Sequence, residues 1–373
     1  MDTDTSTVLG LGFVLLATVC NGTFALPPKF VRNWAWENTW GAFFILTLLA
    51  LPAAVILATV HGPVATWSAV PPGCLIGVIG FGFLWGCGIV GFGIGVTELG
   101  LSLGFSIIIS LSALLGSMVP LVTQHPEEVM TPGGLVITLG VLICIGGIAA
   151  CGRAGVLRDR ANSAHDGHRP RAADALAKGL LVCVVAGVCS SGSNIAFSYG
   201  QAIKEVSQAQ YGNPPWLATL AVWMLVFLGA FAACGSYATY LLFRNLTWRN
   251  FASPDASRNL LLAAAMAVLH FATLFSYGIG AHYLGKLGTS VGYASMMSCS
   301  LLVANAMGFM TGEWRGTSWP TRRWVFAGLL LLVLGILALT IGNNLLRLRS
   351  QGSHVGPGTR AVLTLPAGKA LAG

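Results

Sequence analysis

The sequence predicts an all-α membrane protein, ten transmembrane helices arranged as two inverted five-helix repeats. Three observations predict it. The 373 residues are 55% hydrophobic, with a mean hydropathy of +0.76. Charged residues are 9% of the chain, against roughly 25% in soluble domains. Apolar stretches recur at about 20 residues, the length that crosses the hydrocarbon core as a helix.

The spans fall near 7–26, 40–60, 73–96, 101–123, 133–151, 177–200, 216–243, 260–283, 288–311 and 323–345. Span 1 follows an N-terminus with two acids and no Lys or Arg. A cleaved signal peptide needs a basic n-region, so this run reads as the first permanent span. Pro27-Pro28 closes it. Span 3 carries Gly82/Gly86 and Gly91/Gly95 at GxxxG spacing, which lets helices approach closely. Spans 5 and 10 are almost pure hydrocarbon. Nine of the eleven tryptophans lie in connections or at span ends, where indoles prefer the headgroup region. Trp85 and Trp223 sit well inside spans.

The long hydrophilic connection after span 5 divides five spans from five. It gives a first repeat at 1–151, a basic cytoplasmic linker at 152–176, a second repeat at 177–345 and a disordered tail at 346–373. The halves are faint copies. Span 1 contains Val19-Cys20-Asn21-Gly22 and span 6 Val188-Cys189-Ser190-Ser191-Gly192. Leu103-Gly104-Phe105-Ser106 opens span 4 as Leu287-Gly288-Thr289-Ser290 opens span 9. Spans 5 and 10 share Gly140/Gly328 and Gly147/Gly335. Five is odd, so the second copy enters the membrane inverted, an arrangement suited to alternating access around a midplane site. Fourteen of the twenty Lys and Arg lie in or beside the odd-numbered connections. The positive-inside rule puts those connections in the cytoplasm and both termini outside.

Composition excludes several functions. The net charge of +8 sits in loops, where it orients the chain, and does not indicate nucleic acid. The nine cysteines lie in or beside apolar spans without a CxxC, as small packing residues do. Gly280 to Lys286 fits GxxxxGK, but Leu287 stands where a Walker A motif needs Ser or Thr. Gly86-Cys87-Gly88-Ile89-Val90-Gly91 fits GxGxxG inside a span and reads as helix packing. No feature supports ATP hydrolysis or an ATPase subunit. No HExxH or acidic cluster supports a membrane enzyme.

The polar residues inside spans are therefore the informative minority. Spans 1, 4, 6 and 9, with Trp85 on span 3, line a polar cavity. Its candidate binding residues are Asn21, Trp85, Ser106, Ser110, Ser190, Asn194, Tyr277 and Tyr293. Hydroxyls and amides exchange hydrogen bonds with a neutral, hydroxyl-rich solute, and an aromatic face stacks on a sugar's C–H face. The same serines also suit bonds to backbone or to neighbouring helices. His270 is a strongly ionisable group placed centrally in a span, ten residues into span 8, and is the first candidate for proton coupling. Glu37 and Glu98, at span ends, are second choices.

Pro27-Pro28-Lys29-Phe30-Val31-Arg32-Asn33-Trp34-Ala35-Trp36-Glu37-Asn38-Thr39-Trp40 resembles the first cytoplasmic connection of the L-rhamnose–proton symporter family, of the drug/metabolite transporter superfamily. The resemblance continues at Trp85-Gly86-Cys87-Gly88, Leu99-Gly100-Leu101-Ser102-Leu103-Gly104, Gly152-Arg153-Ala154-Gly155 and Gly312-Glu313-Trp314. It implies ten helices in two repeats, a bacterial inner membrane, uptake of a 6-deoxyhexose, H+ as coupling ion and no cofactor. Lys29 and Glu37, opposite in charge and close in sequence, are the candidate cytoplasmic gate pair on that ground alone. The chain departs from the family pattern at Ile89-Val90-Gly91, where amides are expected, and in span 9. There an acid and a histidine give way to Leu287 to Ser290 and to Met296-Met297. These departures bear on the solute and the ion. A carrier for another small polar metabolite is the alternative reading, and a non-transporting membrane protein the remote one.

Overall fold

A computed structural model describes residues 3–24, 26–99, 101–165, 173–310, 314 and 317–354. Among them the chain is all helical, without a strand. Ten long helices follow one another. They are α1 (Thr3–Thr23), α2 (Trp36–Ile45, a π turn at Leu46–Ala50, then Leu51–Thr59), α3 (Pro72–Leu99), α4 (Leu101–Gln124) and α5 (Pro132–His165). The second half gives α6 (Ala173–Ser190, Gly192–Tyr199 and Gln201–Tyr211), α7 (Pro215–Arg244), α8 (Ala256–Tyr283), α9 (Gly288–Met310) and α10 (Trp319–His354).

Nine segments among the described residues are long and apolar enough to cross a membrane, and the chain is a multi-pass membrane protein. α9 is not one of the nine, although its 23 residues suffice in length. Large apolar side chains such as Leu57, Ile76, Leu261 and Leu330 stand exposed on the outer faces, as a lipid-facing surface requires. Helix runs further than the sequence suggested at three places. α5 continues through Arg153 to His165, α6 to Tyr211 and α10 to His354.

Two helices depart from α geometry for visible reasons. In α2, Pro52 has no N–H and its ring crowds the carbonyl of the preceding turn. The helix widens just before it, and the Leu51 N–H reaches back five residues to the Leu46 carbonyl. α6 breaks where serines compete for its backbone. The Ser191 hydroxyl donates to the Val188 carbonyl at 2.7 Å and the Ser193 hydroxyl to the Ser190 carbonyl at 3.3 Å. The broken turn lies tight against α3, because Gly192 lets the two backbones meet. A methyl group there would lie 2.5 Å from the Phe81 carbonyl oxygen.

Two cores hold the bundle. The larger joins α1, α2, α3, α6, α7 and α8 around Phe44, Phe197, Trp223, Phe227 and Tyr277, all almost wholly buried. α7 is its axis, 72% buried over its apolar window against 22–50% for the other spans. The smaller core joins α4, α5, α9 and α10. Its seam is antiparallel and built on glycine. Gly133 faces Gly342, Gly140 faces Gly335 and Gly147 faces Gly328, each close enough that a methyl group on either would lie within 3.0 Å of the other's carbonyl oxygen. Arg153 and Arg158, lying over the rings of Trp324 and Trp314 at 4.4 and 5.0 Å, pin one end of this pair.

Candidate functional site

The π turn of α2 sets the first half of the site. It turns Thr47 across the helix boundary towards α8. There the threonine Oγ1 lies 3.0 Å from His270 Nδ1 and donates to the Ala267 carbonyl at 3.4 Å. Three rings enclose the imidazole. Trp85 of α3 stacks on it, with centroids 5.9 Å apart and planes 10° from parallel. Phe43 of α2 meets it edge-on at 5.4 Å, and Phe24, just past α1, lies tilted at 5.4 Å. The histidine as a residue is half-buried, and Nε2 has no partner among the described residues. Neutral faces and one basic nitrogen are what this cage offers a solute.

The second half is a closed polar knot. Asn194 lies in the second segment of α6, one turn beyond the break, and is wholly buried. Its Nδ2 donates to the carbonyls of Gly116 on α4, at 2.6 Å, and Thr289 on α9, at 2.9 Å. Its Oδ1 accepts the Tyr277 hydroxyl from α8. Tyr293, edge-on to Tyr277 at 5.9 Å, shares a 2.9 Å hydrogen bond with Ser112. Four helices thus meet at one amide whose protons are both used. An amide left unpaired in so apolar a core would cost several kcal/mol, on the order of 2–7. Nearby, the hydroxyls of Ser290 and Ser295 and the indole N–H of Trp223 are buried without hydrogen-bond partners among the described residues.

An aromatic column joins the halves. Trp85 leads to Phe227 at 6.3 Å, Phe227 to Trp223 at 5.7 Å, and Trp223 stacks on Phe197 at 4.7 Å. Lys204 Nζ lies 4.6 Å over the Phe197 ring.

The structure therefore brings Trp85 to His270, and Asn194 to Tyr277 and Tyr293. Asn21 stands apart on α1 and donates to Ser300 Oγ of α9 at 2.9 Å. Ser190 packs on Gly88 of α3, and Ser110 is half-buried on α4. Glu37 is buried, and its Oε1 accepts from Asn245 Nδ2 at 2.9 Å and Thr247 Oγ1 at 2.7 Å. The side chains of Lys29, Glu98 and Ser106 lie outside the described residues, as does Glu313. Thr47, Phe43 and Phe24 belong to the site without having been singled out by sequence. Pro52 was the available signal for Thr47. The carbonyls of Gly116 and Thr289 leave none. No group of His, Cys, Asp and Glu among the described residues suits a metal ion.

Comparison with known proteins follows the same outline. Residues 3–350 match the family model of the L-rhamnose-proton symport protein (RhaT). An L-rhamnose-proton symporter of Yersinia pestis (strain Pestoides F) is 25% identical over 349 residues, covering 91% of this chain and 97% of its own. One from Klebsiella pneumoniae subsp. pneumoniae is 26% identical over 346 residues, with the same coverage. A solved crystal structure aligns over 91% of this chain and 98% of its own with a TM-score of 0.53 at 13% identity, a likeness of fold alone. The matched relatives are named as symporters and none of those named here as an enzyme. With its match running almost the whole length of the helical bundle, the chain belongs to the L-rhamnose-proton symport protein family.

Proposed function

We propose that this protein imports a neutral 6-deoxyhexose such as L-rhamnose together with a proton, by alternating access between two inverted five-helix repeats. The observation that carries the reading is the cage at His270: an uncharged aromatic enclosure around one titratable ring that is stacked on Trp85. A sugar needs such faces, and a proton needs such a nitrogen. Family membership supports both. The seam of α5 and α10 supports the inverted repeats, since two of its glycine pairs, 140 with 335 and 147 with 328, exchange with one another under a two-fold axis in the membrane plane. In this reading α9 is the remaining span. The bundle sits in a bacterial inner membrane with both termini outside, a repeat at 1–151 and another at 177–345, joined by the basic cytoplasmic segment. Asn194 and Tyr277 then lie on the outer side of His270 and close that side, while Asn21, Ser110 and Ser190 contribute polar groups further in. Glu37 tethers the first cytoplasmic connection.

Uptake of labelled L-rhamnose into proteoliposomes, with and without an inward proton gradient, tests this. Gradient-driven accumulation supports it. Gradient-driven movement of a different solute, found by counterflow against a panel of sugars and metabolites, keeps the carrier and replaces the substrate. No movement of any solute overturns it.

A further inference from the structure

We propose that Thr47 is a positioning residue that fixes the tautomer of His270, keeping a proton on Nδ1 so that Nε2 keeps its lone pair free. The inference rests on the reading that His270 carries the coupling proton, and it specifies how. A threonine hydroxyl has one proton to give. In a regular helix that proton commonly goes to its own helix's carbonyl one turn back. Here the π turn carries the side chain over to α8, where Oγ1 lies 3.4 Å from the Ala267 carbonyl and 3.0 Å from His270 Nδ1. A hydroxyl that donated to Nδ1 would make one bond and leave the Ala267 carbonyl without it, whereas an Nδ1–H that donates to Oγ1 frees the hydroxyl proton for that carbonyl and makes two. The stable pattern is Nδ1–H to Thr47 Oγ1, and Oγ1–H to the Ala267 carbonyl. The partner of one imidazole nitrogen sets the chemistry of the other.

The consequence is directional. Nε2 takes a proton from hydronium on one side, leaving water. It returns that proton to water on the other side after the bundle changes shape. The Nδ1 proton never leaves. Between those events Nε2 accepts a hydrogen bond from a sugar hydroxyl when neutral and donates one when charged, which couples the two cargoes at one atom. The groups facing the ring are Phe24 after α1, Phe43 and Thr47 of α2 and Trp85 of α3. None of these carries a charge that would set the titration instead.

The expected effects separate Thr47 from His270. Thr47→Val keeps the volume and removes the acceptor. The bond it removes is stronger to the imidazolium than to the neutral ring. The acid limb of the uptake profile should therefore move down by about one pH unit, and KM should rise because Nε2 is now protonated in part of the neutral population. Thr47→Ser keeps the hydroxyl and should restore both. Nitrogen-15 spectra of the native protein, with the His270 signals assigned by their loss in His270→Gln, should show Nδ1 protonated in the neutral ring. Finding the neutral ring protonated at Nε2 overturns the proposal without any appeal to a variant that might misfold. An unchanged profile in Thr47→Val, while His270→Gln loses proton-coupled uptake, also overturns it and leaves the reading of His270 standing. Coupled uptake that survives His270→Gln removes both.

Discussion

Asn259 holds Arg32 by its backbone: Oδ1 accepts the Arg32 N–H at 3.2 Å, and Nδ2 donates to the Arg32 carbonyl at 2.6 Å. At the other end of α2, Asn213 brackets His61 in the same way, with both bonds at 2.8 Å. The first tie joins the connection after α1 to the start of α8, and the second joins the connection after α2 to the one after α6. Each asparagine is buried and belongs to the second half of the chain. Around Asn259 the tie is reinforced by Asn33 on Asp255, Trp34 on the Asn250 carbonyl and Glu37 on Asn245 and Thr247.

Both ties exist in one structure, so α2 is anchored at its two ends together. Asn259→Ala and Asn213→Ala should each lower stability by about 1–3 kcal/mol, since each leaves backbone groups unpaired. Asn259→Asp should be worse than Ala, because a carboxylate cannot donate to the Arg32 carbonyl and repels it. Thermal unfolding in detergent measures this. A melting temperature unchanged in both alanine variants would show that the ties are incidental.

The glycine seam makes a steric prediction. A methyl group at Gly335 would lie 2.4 Å from the Cys144 sulfur and 2.9 Å from the Gly140 carbonyl oxygen. Gly335→Ala should separate α5 from α10 and cost about 1–3 kcal/mol. Cys144→Ala beside it should recover part of that loss by removing the sulfur. Gly12, whose added methyl group meets nothing within 4 Å, is the control, and Gly12→Ala should be close to neutral.

At the cage, Trp85→Ala removes the face on which His270 rests. KM for the transported sugar should rise about tenfold, roughly 1.4 kcal/mol. Trp85→Phe, which keeps an aromatic face of smaller area, should stay within about threefold. Initial-rate uptake at several sugar concentrations separates KM from maximal rate. A loss confined to the rate would move Trp85 from binding to the conformational step.

The helices were legible in the sequence because hydropathy fixes which segments leave water, and Pro, Trp and Arg mark where they end. Gly140 and Gly147 could be matched to Gly328 and Gly335 as repeat partners. That these glycines touch, pairing 140 with 335 and 147 with 328, needed the antiparallel packing. His270 stood out because a lone titratable ring inside an apolar span has few neutral explanations. Thr47 did not, since a span threonine normally bonds its own helix, and only the widened turn before Pro52 redirects it. Asn194 was legible as a polar residue to be satisfied. Its partners were hidden because two of the three are backbone carbonyls, which every residue possesses. Lys204 escaped because its helix was ended too early, at residue 200, while the structure continues it to Tyr211.

Asn194 offers the sharpest variant. Aspartate has the same shape but no N–H, so Asn194→Asp turns an oxygen towards the Gly116 and Thr289 carbonyls, which in the native protein accept from Asn194 Nδ2 at 2.6 and 2.9 Å. A carboxylate held there would keep the Tyr277 hydroxyl but face no opposite charge, a loss of about 3–5 kcal/mol. The cheapest relief is separation of α6 from α4 and α9, which in the function proposed above opens the outer side. Ser290 beside this knot is buried in the present state. In a cysteine-free background, Ser290→Cys should therefore resist an impermeant thiol reagent when Asn194 is intact and react with it from outside when Asn194→Asp is added. Tyr277→Phe removes a single donor and should give an intermediate rate of labelling. Equal labelling in all three backgrounds would mean that Asn194 binds or packs without closing anything, and that the outer seal lies elsewhere.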